Sequence, residues 1–250
     1  MGKFLNAAIA ASKLGAMEVM KRFRKRYSVR YKERDDVVTE ADLASEKAIT
    51  RFLLKKFPSH SINSEEAGKT ANSSDYCWYL DPIDGTNNFF TGLPLFGVSV
   101  GLYKDKEPLA GALCFPTLNE VYWAEKGKGA YCNGKRIHVS KRSKLHEALV
   151  LLDDPYDIRV FKGKEEVTKK IFHMRVAGAA IFSYAMVARG AADVCMHVWI
   201  KKHDVAAGAL IVQEAGGMNT AFSGKKWSLD SGSIICSNGL MHPKFLSLLK

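Results

Sequence analysis

Two long stretches near the start of the chain carry apolar residues at every third or fourth position, which is the pattern of an amphipathic helix. The first covers residues 3–24 and the second residues 40–56. The second has a start signal of its own, because Thr39 precedes it and Asp42 stands three positions later, as in a capping box. Pro58 follows and stops this helix. We therefore predict two helices before the first buried strand.

Shorter apolar runs in the rest of the first half predict strands. Residues 76–80 are continuously apolar or aromatic, as expected of a strand buried on both faces. Asn133 and Gly134 stand between two short runs, and this dipeptide is a strong hairpin signal. The other predicted strands lie near residues 61–64, 95–103, 108–115 and 120–125. The first half should therefore combine helices with a largely antiparallel sheet.

The pattern changes after the basic stretch at residues 141–144. From there, predicted strands alternate with predicted helices, which favours an α/β arrangement. The strands lie near residues 148–152, 174–176, 192–196 and 233–236, and the helices near residues 163–172, 179–189, 204–215 and 242–249. The predicted fold class is α+β, a layered α/β sandwich, with an N-terminal α+β domain over residues 1–145 and a C-terminal α/β domain over residues 146–250.

The charge of the chain favours anionic ligands. Its 250 residues are 47% hydrophobic, which is ordinary for a globular protein, and they carry a formal net charge of +11. The densest basic cluster, residues 21–26, falls at the end of the first predicted helix, where cations complement the helix dipole. A nucleic-acid patch is the competing interpretation, but it needs interleaved aromatic residues or a known reading module, and neither is present. We expect the charge to steer a small anion, and we do not expect nucleic acid as the ligand.

The cysteines and the apolar runs indicate the compartment. The five cysteines are scattered, which fits a reducing environment and neither a disulfide framework nor a zinc site. Residues 4–10 could pass for a signal sequence, but Asn6 and Lys13 interrupt the run and the helical pattern continues beyond it. No apolar stretch approaches the roughly 18 residues that span a bilayer. We predict a cytoplasmic protein with no membrane partner.

The most informative segment is residues 81–86, Asp-Pro-Ile-Asp-Gly-Thr, directly after the strand predicted at 76–80. Two carboxylates at a strand end repel each other unless a cation lies between them, and Mg²⁺ prefers such oxygen ligands. Gly85 would let the backbone approach a ligand closely, and the amides of Gly85 and Thr86 would suit a phosphate group. The alternative is structural, an Asp-Pro turn in which Asp84 caps a helix.

This segment resembles the central metal motif of the inositol monophosphatase superfamily without a departure. Three further segments match the family in the same order along the chain. They are Ser-Glu-Glu at residues 64–66, Asp-Val-Val-Thr-Glu-Ala-Asp at residues 36–42, and Asp-Val-Ala-Ala-Gly at residues 204–208 with Glu-Ala-Gly-Gly at residues 214–217. The resemblance is to compact prokaryotic members, and it implies stacked α and β layers with the site at the junction of two halves.

The resemblance implies a Mg²⁺-dependent phosphatase that binds two to three Mg²⁺ ions. The implied ligands are Glu65, Asp81 and the Ile83 carbonyl for one ion, Asp81, Asp84 and Asp204 for a second, and Glu65 for a third, looser ion. Thr86 and Asp42 would orient the attacking water or relay its proton, and Asp42 also fits the role of a helix-capping carboxylate. Glu66 either supports this set or is merely solvated, and Lys32 lies near a family lysine beside the third ion.

Several positions bear on the substrate. Where inositol-preferring members commonly have a tryptophan before the C-terminal aspartate and a glutamate seven positions before it, this chain has His203 and His197. The change from an acidic to a basic segment indicates that the substrate can carry a second anionic group, with His197 and Lys201 as its contacts. The alternative is that Lys201 is only an exposed turn residue. Gly178 and Ala179 resemble the small-residue turn that borders the substrate in the family, or else they form a helix start that requires small residues for close packing.

The implied activity is hydrolysis of small sugar or inositol phosphates, as in compact prokaryotic members that act on both inositol monophosphate and fructose 1,6-bisphosphate. A phosphatase for 3′-phosphoadenosine 5′-phosphate or NADP is the alternative within the family. A non-catalytic nucleic-acid-binding protein is a distant alternative from another class. The resemblance also implies a homodimer.

Overall fold

The computed structural model of the protein describes residues 2–31, 37–70, 72, 74–153, 155–161 and 165–249. The helices in these residues are α1 (Lys3–Met20), α2 (Glu40–Lys56), α3 (Thr86–Thr91), α4 (Glu165–Lys170), α5 (Ala180–Ala188), α6 (Lys202–Glu214) and α7 (His242–Leu249). The strands are β1 (Val29–Tyr31), β2 (Val37–Thr39), β3 (Ser61–Ser64), β4 (Gly68–Thr70), β5 (Tyr76–Asp84), β6 (Gly97–Lys104), β7 (Glu107–Phe115), β8 (Glu120–Glu125), β9 (Ala130–Cys132), β10 (Lys135–Ile137), β11 (Leu149–Leu152), β12 (His173–Val176), β13 (Val194–His197), β14 (Met218–Thr220) and β15 (Ile234–Ser237).

The first large sheet is built from residues before 145. In the described part of the chain it has eight strands in the order β10-β9-β8-β7-β6-β5-β3-β4, and its neighbours are antiparallel except for the parallel pair β3 and β5. The hairpin between β9 and β10 turns at Asn133 and Gly134, whose φ values of 47° and 83° are those of a primed two-residue turn. The predicted antiparallel sheet and its hairpin are confirmed.

The second large sheet is built from residues after 148 and has the order β12-β11-β13-β15-β14 among the described strands. Strands β11, β12 and β13 are parallel, whereas β15 runs antiparallel to β13 and β14. Helices lie between these strands in the sequence, so the predicted α/β character of the second half is confirmed. Because the three parallel strands end at the same edge of the sheet, residues that directly follow them come together there.

The helices form layers around the two sheets. Helices α1 and α2 cover one face of the first sheet, α5 and α6 lie between the sheets, and α4 and α7 cover the outer face of the second sheet. Helix α6 can approach β6 and β7 closely because small residues meet there: a Cβ on Gly101 would lie 3.0 Å from the Ala206 Cβ, and one on Gly111 would lie 2.9 Å from the Ala207 Cα. The tight contact fixes the start of α6 beside the end of β5.

The first helix ends earlier than the periodicity predicts, at Met20 instead of residue 24, and the chain then turns with Arg24 at a φ of 57°. Part of the basic cluster at residues 21–26 has protein partners. Lys21 and Arg22 pair with Glu18, and the Arg24 side chain donates to the Gly92 carbonyl over 3.1 Å. These contacts support the interpretation of the cluster as a helix terminus.

Some elements had no clear signal in the sequence. The short strands β1, β2, β4 and β14 escaped it because three residues are too few to show a period. Among the described residues, no helix combines the length and the apolar character required to cross a membrane. The division into two domains at residue 145 stays a prediction, since α5 and α6 belong to the second half of the sequence and pack in one core with side chains of the first sheet.

Candidate active site

The two aspartates of residues 81–86 lie at the end of β5, where the strand pairing shifts register between Asp81 and Asp84. Asp81 Oδ1 accepts a hydrogen bond from the Ile83 backbone over 3.0 Å, which is the local turn that the structural interpretation predicts. Asp84 does not cap the following helix, because Gly85 is the N-cap residue of α3 and that cap has no side-chain hydrogen bond. Asp84 is instead buried, with Oδ2 accepting from the Ile181 backbone over 3.3 Å.

Gly85 is required by the protein itself. Its φ of 83° lies in the left-handed region, where a side chain is strained. A Cβ at this position would lie 2.8 Å from the Leu95 carbonyl oxygen and 3.0 Å from the Ala179 Cβ. The sequence analysis assigned this glycine to the close approach of a ligand. In the structure, two other segments of the same chain approach it closely. The glycine thereby brings the motif against the turn at Gly178 and Ala179.

Two further carboxylates come to the aspartates from distant parts of the sequence. Asp204, in the first turn of α6, acts electrostatically on Asp81, and its Oδ2 accepts from the Lys201 backbone over 3.1 Å. Glu65 follows β3, and its backbone nitrogen donates to the Leu80 carbonyl over 3.2 Å. The structure therefore brings Glu65, Asp81, Asp84 and Asp204 near enough for their charges to act on one another.

Burial and mutual repulsion act on the protonation of this group. Burial raises the pKa of Asp81 well above its usual value, and the neighbouring Glu65 and Asp84 raise it further. The pKa of Asp84 is raised in the same way, first by burial and then by nearby carboxylates. Burial and the charge of Glu65 raise the pKa of Asp204 to about 7. The carboxyl groups therefore resist ionisation when they have no cation among them, and a bound cation would favour their charged forms.

The group fits divalent metal ions by its chemistry. Its oxygens are the hard ligands that Mg²⁺ prefers, and the buried Asp84 Oδ1 has no hydrogen-bond partner among the described residues. Within those residues, no three His, Cys, Asp or Glu side chains are already grouped as a metal-ligand set. The ligand assignments therefore stay predictions. Lys32, which lies near a family lysine and was not assigned a role, and Asp36, at the start of a matched segment, lie outside the described residues.

Asp42 has both of the contacts that its two interpretations require. Its Oδ2 accepts from the Thr39 backbone over 2.8 Å and from the Thr39 hydroxyl over 2.6 Å, which completes the capping box of α2. Its Oδ1 lies 3.3 Å from the Thr86 hydroxyl, which also donates to the Ile83 carbonyl over 2.7 Å. Burial raises the pKa of Asp42 to about 7, although the bonds from Thr39 oppose the shift. The carboxyl group is thus held beside Thr86 and is able to exchange a proton near neutral pH.

A residue that the sequence analysis missed, Glu46, holds the turn that carries Glu65. It lies one helical turn after Asp42 on α2 and is only 8% exposed. Its Oε2 accepts from the Ser64 hydroxyl and from the backbone nitrogens of Glu66 and Ala67, at 3.1 and 3.3 Å for the two nitrogens. The available signal was its i+4 spacing from Asp42, which places both carboxylates on one helix face. Glu46 thus links α2 to the Glu65 turn.

We expect Glu46→Ala to lower the midpoint of thermal unfolding by several degrees. The substitution removes the acceptor of two backbone donors, which costs about 1–3 kcal/mol when the donors stay partly buried, and each kcal/mol shifts the midpoint by roughly 2–4 °C in a chain of this size. Differential scanning calorimetry measures the shift. Glu40→Ala removes an exposed carboxylate of the same helix and serves as the control. An equal shift in both variants would contradict the role of Glu46.

The predicted substrate contacts lie on two sides of the carboxylates. Gly178 and Ala179 pack against Gly85, as the distances to its hypothetical Cβ show. Asn88, which the sequence analysis did not select, ties this turn to α3 by donating to the Ala177 carbonyl over 2.9 Å. On the other side, the exposed Lys201 ammonium lies 3.6 Å from Glu65 Oε1. Of the two basic residues predicted to contact substrate, Lys201 therefore lies beside a carboxylate of the candidate active site.

His197 does not fit the predicted substrate contact. Its side chain is 2% exposed, it packs against the Tyr184 ring, and neither ring nitrogen is accessible. Burial lowers its pKa to about 3, so the ring is neutral at physiological pH although Asp157 lies 3.8 Å away. The prediction that His197 contributes positive charge to substrate binding is wrong, because desolvation outweighs that neighbouring carboxylate.

Comparison with known proteins agrees with this geometry. The model of the inositol monophosphatase family matches residues 1–250. A fructose-1,6-bisphosphatase/inositol-1-monophosphatase of Aquifex aeolicus is 36% identical over 99% of this chain and 96% of its own length. A Nus factor SuhB of Pseudomonas aeruginosa is 37% identical over 95% of this chain and 92% of its own length. The solved structure of a Thermotoga maritima IMPase is 35% identical, covers 99% of this chain and 97% of that one, and superimposes with a TM-score of 0.92. With the carboxylates of four separated segments meeting at one site, the chain belongs to the inositol monophosphatase family.

Proposed function

We propose that the protein is a Mg²⁺-dependent phosphomonoesterase that hydrolyses small sugar or inositol phosphates, including inositol 1-phosphate and fructose 1,6-bisphosphate. The observation that carries the proposal is the gathering of Glu65, Asp81, Asp84 and Asp204 at the junction of the two sheets. A cluster of buried like charges is costly unless cations bind it. The relative from Aquifex aeolicus, which is named for both activities, supports the same substrate class.

In this proposal the residues divide into ligands and proton carriers. Glu65, Asp81, the Ile83 carbonyl, Asp84 and Asp204 would hold two to three Mg²⁺ ions, and bound Mg²⁺ supplies charge to a phosphoryl group and lowers the pKa of water. The amides of Gly85 and Thr86 would donate to phosphate oxygens. Thr86 positions the water through its hydroxyl, and Asp42, fixed by Thr39, takes up the proton.

We expect the purified protein to release phosphate from inositol 1-phosphate and fructose 1,6-bisphosphate when Mg²⁺ is present, and to stop when EDTA removes it. The reason is that Mg²⁺ would bring more positive charge to the carboxylates than the Lys201 ammonium beside Glu65 does, and binding of a phosphate dianion there requires that charge. A colorimetric phosphate assay over a panel of esters, with 3′-phosphoadenosine 5′-phosphate and NADP included, measures the ranking. Absence of release from every ester at saturating Mg²⁺ would refute the proposal.

Lys201 favours a second candidate activity on substrates with two anionic groups, such as 3′-phosphoadenosine 5′-phosphate. We expect Lys201→Met to lower kcat/KM about tenfold for bisphosphates relative to inositol 1-phosphate, because one charge-assisted contact is worth about 1.5 kcal/mol or more. Lys202→Met is the matched control, since Lys202 pairs with Asp230 at the surface. A ranking of substrates that is the same in both variants would show that Lys201 is only an exposed turn residue.

A non-catalytic role in nucleic-acid binding is the remaining alternative, and the net charge of +11 is the observation that favours it. Such binding would be strongly salt-dependent and would survive replacement of Asp84. For the phosphatase we also propose location in the cytoplasm and assembly as a homodimer. Light scattering of the purified protein tests the homodimer.

A further inference from the structure

A fifth acidic residue lies beside the candidate active site, on an element that the sequence analysis did not connect with it. Asp153 directly follows β11, the middle one of the three parallel strands of the second sheet. Leu152 is in register with Met196 of β13, so Asp153 stands at the same edge as the end of β13. This is the edge at which ligands bind in parallel sheets.

Backbone hydrogen bonds hold Asp153 in this place. Its carbonyl accepts from Gly178 over 3.0 Å, and its nitrogen donates to Asp157 Oδ2 over 3.1 Å. Gly178 in turn packs against the metal motif, because its carbonyl would lie 3.1 Å from a Cβ at Gly85. Asp153 is therefore hydrogen-bonded directly to the turn that contacts Gly85. Its side chain is only partly buried.

The charge of Asp153 acts on the candidate active site from this position. After burial, its charge is the largest influence that raises the pKa of Asp84, ahead of the charge of Asp204. It also acts on Tyr184, whose hydroxyl is fully buried and has no hydrogen-bond partner within the described residues. Asp84 Oδ1 and both ring nitrogens of His197, which packs against Tyr184, are also buried without a hydrogen-bond partner within the described residues. Asp153 therefore stands within electrostatic reach of the metal motif and of the buried Tyr184 side chain.

The charges on the two sides of the site differ in sign. Lys201 lies beside Glu65, whereas Asp153 lies on the side of Asp84 and Gly178. A carboxylate at the Asp84 side repels a second phosphate and accepts hydrogen bonds from hydroxyl groups. An ester with hydroxyls next to its phosphate-bearing carbon suits such a wall.

We propose that Asp153 is a specificity-determining residue, and that its carboxylate accepts hydrogen bonds from hydroxyl groups of a polyol phosphate whose phosphate lies at Asp81 and Asp84. This inference rests on the proposed phosphatase activity and adds the chemical class of the group beside the phosphate.

The test compares Asp153→Asn and Asp153→Ala with wild type on two esters at saturating Mg²⁺. Inositol 1-phosphate carries neighbouring hydroxyls and p-nitrophenyl phosphate carries none. For inositol 1-phosphate we expect KM to rise about tenfold or more, since a hydrogen bond to a charged group contributes about 1.5–3 kcal/mol, with kcat changed less than threefold. Both constants for p-nitrophenyl phosphate should be unchanged. Asp105→Asn, in the exposed turn between β6 and β7, controls for the loss of one negative charge.

The other outcomes distinguish the inference from its foundation. Equal losses on both esters, or a higher Mg²⁺ concentration at half-maximal activity, would show that Asp153 supports the metal site or the fold and would overturn the inference alone. Unchanged KM for inositol 1-phosphate would also overturn it. A wild-type protein that hydrolyses neither ester would overturn the proposed function, and this inference with it.

Discussion

Replacing Asp84 with asparagine is expected to lower kcat/KM for every phosphate ester by about three orders of magnitude. The substitution keeps the shape of the side chain and the hydrogen bond from the Ile181 backbone, and it removes one of the charges that would bind the metal ions. A loss of about 4 kcal/mol in the stabilisation of the transition state corresponds to that factor. Steady-state phosphate release over a range of Mg²⁺ concentrations measures it.

The same variant should fold as well as wild type when EDTA is present. Asp84 is buried beside Asp153 and Asp204, and removing one of several like charges relieves their repulsion. The thermal midpoint of Asp84→Asn in EDTA should therefore be equal to that of wild type or higher, whereas Mg²⁺ should raise the midpoint of wild type more. Asp105→Asn should behave as wild type in both measurements. Full activity of Asp84→Asn would rule out the assignment of this residue to the metal site.

The second large effect is expected on stability, from Asp193→Ala. Asp193 is fully buried at the start of β13, away from the candidate active site. Its carboxylate accepts from Arg142 Nε over 2.8 Å and from the Leu149 backbone over 2.9 Å, and it also contacts the Ser140 hydroxyl. Arg142 is 37% exposed, so the largest loss is expected at the Leu149 amide and the Ser140 hydroxyl. A hydrogen bond to a charged group is worth about 1.5–3 kcal/mol, and losing both costs about 3–5 kcal/mol. The thermal midpoint should fall by roughly 6–20 °C.

A surface pair provides the contrast for this prediction. Asp230 bonds with Lys106 and Lys202, yet all three side chains are exposed, and such pairs typically contribute between zero and about 1 kcal/mol. Asp230→Ala should therefore leave the thermal midpoint nearly unchanged. If calorimetry finds similar shifts for Asp193→Ala and Asp230→Ala, the buried network around Asp193 does not have the structural role that we assign to it.

Much of the fold could be predicted because its signals are local. Helix α2 was predicted with its observed limits, since the capping box at Thr39 and the apolar period both depend on neighbouring residues. The hairpin at Asn133 and Gly134 follows from the left-handed conformations that these residues tolerate. The first helix shows the limit of this method, because its periodic pattern continued to residue 24 while the helix ended at Met20.

The sequence by itself determined most of the longer helices and strands, the acidic motif at residues 81–86 and, through four ordered motifs, the resemblance to the family. Only the tertiary structure decided which distant side chains lie near the motif and whether they are charged or neutral. It placed Asp153 beside Asp84, linked Glu46 to the Glu65 turn and buried His197 as a neutral ring. The physical reason is one of range. Turn and helix signals act over a few residues, whereas burial, which sets the protonation of a side chain, depends on every element that packs around it.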